Sequence, residues 1–100
     1  MSISPNATLP RAEESEKAVL GAILLEVEHV ATVLAYVNIE HFALSSHREI
    51  LRAISNLNRR QRTPDLVTVV EELGQTGKLE SVGGAEYVSS LIDGVPDRPM

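Results

Sequence analysis

Apolar residues recur at intervals of three and four along most of this 100-residue chain, and this spacing limits the folds open to it. Residues three or four apart share one face of an α-helix, whereas residues on one face of a strand are two apart. The first series is Val19, Leu20, Ile23 and Leu24, and acidic residues precede it, where the helix dipole favours negative charge. Gly21 interrupts this series at a cost of about 1 kcal/mol relative to alanine. We therefore expect a second helix to cross closely over Gly21.

Two further helices are predicted in the middle of the chain. The spacing continues from Val27 to Val37, although valine also favours strands, and residues 38–44 are predicted to form an irregular connection or a single turn. The next helix is predicted to start at Ser46, because Ser46 and Glu49 have the spacing of a capping box. Its inward stripe starts at His47 and continues with four aliphatic residues: Ile50, Leu51, Ile54 and Leu57.

A fourth helix is predicted to follow Thr63-Pro64-Asp65. Proline cannot continue the preceding helix, and Asp65 is a suitable N-cap. Its inward residues are predicted to be Leu66, Val69, Val70 and Leu73, and its water-facing ones Glu71, Glu72 and Gln75. Gly77 is expected to end it, since glycine readily adopts the left-handed conformation found after helix ends.

A turn at Val82-Gly83-Gly84 is predicted to lead into a last helix, which Gly94 and Pro96 close. The prediction is therefore an all-α fold, a compact bundle of about five helices. Residues 1–9 are expected to be a disordered leader, residues 10–96 the helical domain, and residues 97–100 the start of a linker. We interpret four residues as fold-specifying: Gly21, Asp65, Gly83 and Gly84.

The distribution of charge is uneven. The net charge is −5, which disfavours a nucleic-acid-binding protein, because such proteins carry a basic face. Five of the nine basic residues nevertheless lie between positions 45 and 62, with one acid. Arginines at spacings of three and four place a stripe on one helix face, and arginine binds carboxylates and phosphates through forked hydrogen bonds. The candidate partner-docking residues are Arg48, Arg52, Arg59 and Arg62; the alternative is a solvated face that improves solubility.

The candidate motifs for enzymatic chemistry in this sequence lack required residues or the required spacing. The segment Gly74–Leu79 lacks the first glycine and the hydroxyl of a phosphate-binding loop. The three histidines lack metal-binding helical spacing, and we expect each to be a packing or surface residue. There is no cysteine, and the longest apolar run is too short to span a membrane. We therefore predict no catalytic, metal or cofactor-binding residues in this chain, and an intracellular protein.

The combined motifs resemble the N-terminal domain of the DnaB-family replicative DNA helicases. The resemblance covers roughly residues 10–96 and depends on the order and spacing of several pieces together. It starts with Glu14–Leu24, continues with Phe42, His47 and Ile50, then Asp65–Thr68 with Glu72-Leu73, and ends with Gly77–Leu79, Val82–Tyr87 and Val95-Pro96.

The resemblance implies a helical domain in the collar of a ring-shaped hexamer, which helps to assemble the ring and receives the primase C-terminal domain within the primosome. ATP and magnesium would belong to a separate motor domain of an ATP-dependent parent enzyme, which would also make most DNA contacts. The family carries a helical hairpin after the Val-Pro segment, and this chain stops at Met100 before that hairpin. The implied location is the cytoplasm, in a bacterial or phage-type replisome.

Two alternatives to the helicase domain stay open on the sequence. A stand-alone helical adaptor, or a phage helicase-associated protein, would carry this domain without a motor, and the coding region past Met100 would distinguish it. A small DNA-binding regulator would use the arginine stripe, and its DNA affinity would fall steeply with salt.

Overall fold

The computed structural model describes residues 10–93, and within this range it contains five α-helices and no strand. The helices are α1 (Pro10–Leu25), α2 (Val30–Tyr36), α3 (Ser45–Arg59), α4 (Leu66–Gln75) and α5 (Gly84–Asp93). Single 3₁₀ turns at Val27–His29 and Ile39–His41 flank α2. The predicted all-α fold is confirmed. The predicted leader, the linker and the helix-closing Gly94 and Pro96 lie outside the described residues.

The valine-rich segment folds as a helix, as predicted, despite the strand preference of valine. A bend of 106° separates it from α1. Among the described residues no single helix is long and apolar enough to cross a membrane, and only α1 and the following segment taken together have that length and composition.

The start of α3 differs from the prediction. Leu44, rather than Ser46, is the N-cap residue, and no side chain of this segment caps the helix. The predicted capping box of Ser46 and Glu49 is therefore wrong.

The end of α3 has a Schellman pattern, in which the Arg62 amide donates to the Leu57 carbonyl at 2.8 Å and the Gln61 amide to the Asn58 carbonyl at 3.0 Å. Gln61 supplies the left-handed residue, with a φ of 60°.

Local signals define the ends of α4, as predicted. The Asp65 carboxylate accepts from the Thr68 amide at 2.9 Å, and the Thr68 hydroxyl occupies the reciprocal position near the Asp65 amide. At the other end the Lys78 amide donates to the Leu73 carbonyl at 2.8 Å, around Gly77 with a φ of 75°. The turn at residues 82–84 is also observed, with a φ of 109° at Gly83.

The core lies where α3 meets its neighbours. Helix α1 packs against α5 and α3, and α4 packs against α3 and α5. Gly21 is buried in α1, while the close crossing of another helix over it stays a prediction. Among the residues that the structure describes, the side chains that are almost completely removed from water are aliphatic with one exception, His47: Leu20, Ile23, Ile50, Leu51, Ile54, Leu57, Leu73, Leu91, Val69 and Val88.

One residue of α4 that was predicted to face water is buried instead. Glu72 was predicted to face water, but it is 5% exposed and accepts a hydrogen bond from the Arg60 guanidinium. The reason is the angular position of Glu72 on α4, about 60° around the helix from the inward residue Val69. Its charge is stabilised because an arginine from the end of α3 reaches it.

Candidate protein-binding surface

The four candidate arginines do not form one continuous stripe. Arg62 lies beyond the end of α3, because the left-handed Gln61 turns the chain away from the helix axis. Its predicted place on the helix face is therefore wrong. Arg48 lies on α3, but its Nη1 donates to the Phe42 carbonyl at 2.6 Å and to the Ala43 carbonyl at 3.1 Å. Arg48 thus secures the connection before α3.

Arg52 and Arg59 remain as exposed cations on one face of α3. They are seven residues, or two helical turns, apart. The Nε of Arg52 lies 3.8 Å from Glu49 Oε1, and the Arg52 side chain is 53% exposed. The guanidinium of Arg59 donates to Asn56 Oδ1. Neither guanidinium is buried, so both can meet a partner.

Beside Arg52 lies a cleft of about 580 Å³, which we call the α2–α3 cleft. The last residues of α2 and the turn that follows, Leu34–Glu40, form one wall, and Arg52 and Ser55 form the other. Tyr36 is 84% exposed, the most exposed large hydrophobic side chain in the described range. The cleft is therefore a concave surface with an exposed aromatic residue and an exposed cation.

A buried polar network secures the segment that joins this cleft to α3. Glu16 of α1 accepts hydrogen bonds from the Ala43 amide at 2.5 Å and from the Leu44 amide at 3.4 Å. Glu16 Oε1 also lies 2.7 Å from His47 Nδ1, and His47 Nε2 lies 2.5 Å from the Tyr87 hydroxyl. Side chains of α1, α3 and α5 thus meet around one histidine.

A single tautomer of His47 satisfies both of its ring contacts. In that form Nδ1–H donates to Glu16, and Nε2 accepts from the Tyr87 hydroxyl. Burial raises the pKa of Tyr87 above its ordinary value of 10.0, and the negative charges of Glu13 and Glu16 add to this effect. His47 has no exposed surface, so it cannot reach a substrate. We interpret the network as structural support, in line with the predicted packing role of His47.

The burial of Glu16 was not predicted from the sequence. A signal was present, because Glu16 precedes the inward Leu20 by four residues and Ile23 by seven, which places it on the same face of α1. The distant partner of Glu16, His47, carries no comparable local signal. Within residues 10–93 no three histidine, cysteine or acidic side chains gather as a metal site would require.

Comparisons with known proteins point to one family. A family described as the DnaB-like helicase N terminal domain matches residues 8–99. A replicative DNA helicase DnaB of Rhodothermus marinus is 45% identical over 82 residues, which are 82% of this chain and 9% of that protein. The DnaB helicase of Geobacillus stearothermophilus is 37% identical over 87 residues, which are 87% of this chain and 19% of that protein.

A solved structure has the same fold. The N-terminal domain of DnaB helicase from Mycobacterium tuberculosis superposes with a TM-score of 0.80 at 37% identity, over 84% of this chain and 60% of that one. The chain therefore spans a fifth or less of the length of the full helicases cited above, and most of its own length is matched.

Proposed function

The chain belongs to the family of the DnaB-like helicase N terminal domain, and we propose that it serves ring assembly and primase docking during DNA replication. The proposed partners are the primase C-terminal domain and other subunits of the same helicase, within a hexamer and its primosome in the cytoplasm. In this proposal ATP and magnesium act in the motor domain of the parent helicase, and this domain is non-catalytic.

The observation that carries the docking proposal is the pair of exposed arginines on α3, of which Arg52 lies at the α2–α3 cleft and Arg59 two helical turns beyond it. Arginine and tyrosine contribute a disproportionate share of the binding energy at protein interfaces. Arg52, Arg59 and Tyr36 are all exposed, so they are available without local unfolding. The same helix is fixed in the core through its other face, which makes it a rigid support.

The test is a binding titration of the purified chain with the C-terminal domain of the cognate primase. We expect the double variant Arg52→Glu and Arg59→Glu to bind about tenfold or more weakly, because each reversal removes an attractive charge and adds a repulsive one. Its melting temperature should stay near that of the unchanged chain, because both side chains are exposed.

Light scattering on the same sample reports the assembly state. A chain that is monomeric and does not bind primase would contradict both parts of the proposal for this domain. Binding that is unaltered in the double variant would contradict docking through Arg52 and Arg59.

A further inference from the structure

The α2–α3 cleft has the size and lining of a binding site. Its volume of about 580 Å³ falls within the range of roughly 300–1,000 Å³ that is usual for ligand pockets. Leu34, Val37 and Ile39 line the cleft. They are half-buried and packed against the core, so they offer an apolar surface that the core supports. Tyr36 extends the lining outward and is almost fully exposed.

The α3 side of the cleft is cationic. Arg52 makes one long contact, with Glu49 on its own helix, and its Nη groups have no hydrogen bond to any residue in the described range. Arg59 lies about 10 Å farther along α3, at a rise of about 1.5 Å per residue. Arg59 lies outside the lining of the cleft, so α3 offers one guanidinium at the cleft and a second one two helical turns beyond it.

The α2 side of the cleft has the opposite polarity. Glu40 is exposed there, and the last carbonyls of α2, at residues 34–36, lie at the negative end of the helix dipole. These groups attract hydrogen-bond donors. A partner that fits both walls has its acidic edge toward α3 and its donor groups toward α2.

We propose that the α2–α3 cleft docks an acidic amphipathic helix of a partner protein. Two helices that lie side by side have the same rise per residue, so carboxylates seven residues apart on the partner match Arg52 and Arg59. Apolar residues at the third and fourth positions between them lie on the same face and enter the cleft beside Tyr36. This inference rests on the proposed docking role and specifies the surface and the chemistry of the partner.

The probe is a synthetic helical peptide of about 18 residues, long enough to hold a helix. It carries two glutamates seven residues apart, with two leucines between them, and the control peptide has glutamines in place of the glutamates. The ¹⁵N-labelled chain is titrated with each peptide and followed by NMR. We expect amide shifts at residues 34–40, Arg52 and Ser55, and binding about tenfold weaker for the glutamine peptide.

Variants of the chain test whether the peptide binds in the cleft. Arg52→Glu should weaken binding of the glutamate peptide about tenfold, and Tyr36→Ala should do the same. Arg62→Glu is the matched charge reversal, and it should leave binding unchanged because Arg62 lies beyond the end of α3. Equal losses for Arg52→Glu and Arg62→Glu would show a general charge effect and would overturn the inference, as would equal binding of the two peptides.

A parallel titration with the primase C-terminal domain separates this inference from the proposed function. If primase binds the chain and Arg52→Glu has no effect, the cleft is not the docking surface and the inference fails alone. If the peptide binds in the cleft and primase does not bind at all, the primase proposal fails, and the cleft stands as a site for a different acidic partner.

Discussion

At the scale of single residues, the charged groups inside the protein are each matched by a specific donor. Glu16 accepts two amide hydrogen bonds and meets His47, and Glu72 accepts from Arg60. An ionised carboxylate is costly to bury unless its oxygens are hydrogen-bonded. These contacts therefore make burial possible, and removal of one partner leaves the other unsatisfied.

We predict that Glu16→Ala lowers the free energy of unfolding by about 2–3 kcal/mol, because it leaves two amides and the buried His47 without an acceptor. Urea denaturation followed by circular dichroism measures this change. Glu14→Ala is the matched control on the same helix, and it should change stability by less than about 0.5 kcal/mol, because Glu14 is exposed. Equal effects of the two substitutions would mean that the network contributes nothing specific.

The raised pKa of Tyr87 predicts a loss of stability at alkaline pH. Its folded pKa lies above the ordinary value of 10.0, so the folded state holds the proton more tightly than the unfolded state. The associated stability is fully present below pH 10 and is lost as the pH rises through the folded pKa. We expect Tyr87→Phe to lose less stability than the unchanged chain as the pH rises above 10. Tyr36→Phe, at an exposed tyrosine, should follow the unchanged chain, and a similar profile for all three proteins would argue against this role of Tyr87.

At the scale of elements, the helices differ in what determines their ends. Asp65 and Gly77 define α4 with residues of its own segment. The start of α3 instead depends on α1, since Glu16 accepts from the amides of Leu44, its N-cap, and of the preceding Ala43. Helix α3 thus follows a segment that is held by a side chain 28 positions away from Leu44. Its boundary depends on tertiary packing.

The turn before α5 offers a test of the fold-specifying role of Gly83. A Cβ at this position would lie 2.8 Å from the Cβ of Tyr87, and the φ of 109° disfavours any side chain. We predict that Gly83→Ala destabilises the protein by about 1–2 kcal/mol or more. Gly74→Ala is the matched control, because Gly74 lies in α4 with open space around it, and it should stabilise by up to about 1 kcal/mol. Thermal denaturation of both variants measures the difference, and a neutral Gly83→Ala would contradict the role.

At the scale of the whole molecule, charge is segregated. Five arginines lie in or just after α3, whereas the protein as a whole carries fourteen acidic and nine basic residues. Two of the five arginines serve the fold itself, since Arg48 binds carbonyls and Arg60 binds Glu72. Of the other three, Arg52 lies at the α2–α3 cleft, Arg59 lies two helical turns farther along the exposed face of α3, and Arg62 lies beyond the end of α3. An acidic protein of this kind repels nucleic acid at long range yet offers acidic partners one local surface.

The sequence by itself determined the number of helices, their inward aliphatic faces and the caps of α4. These features follow from contacts within one or two helical turns, so spacing and residue type are sufficient to predict them. The motifs from Glu14 to Pro96 also indicate the family.

Only the tertiary structure decided which polar residues are buried and which arginines stay exposed. Glu16 and His47 are 31 residues apart, and Glu72 of α4 meets Arg60, the residue that follows α3. The position of Arg62 depended on a left-handed glutamine, a conformation that residue type alone does not predict. The α2–α3 cleft exists only because distant segments are held side by side. Apart from the turn at Gln61, these features depend on the relative placement of helices, which local periodicity does not encode.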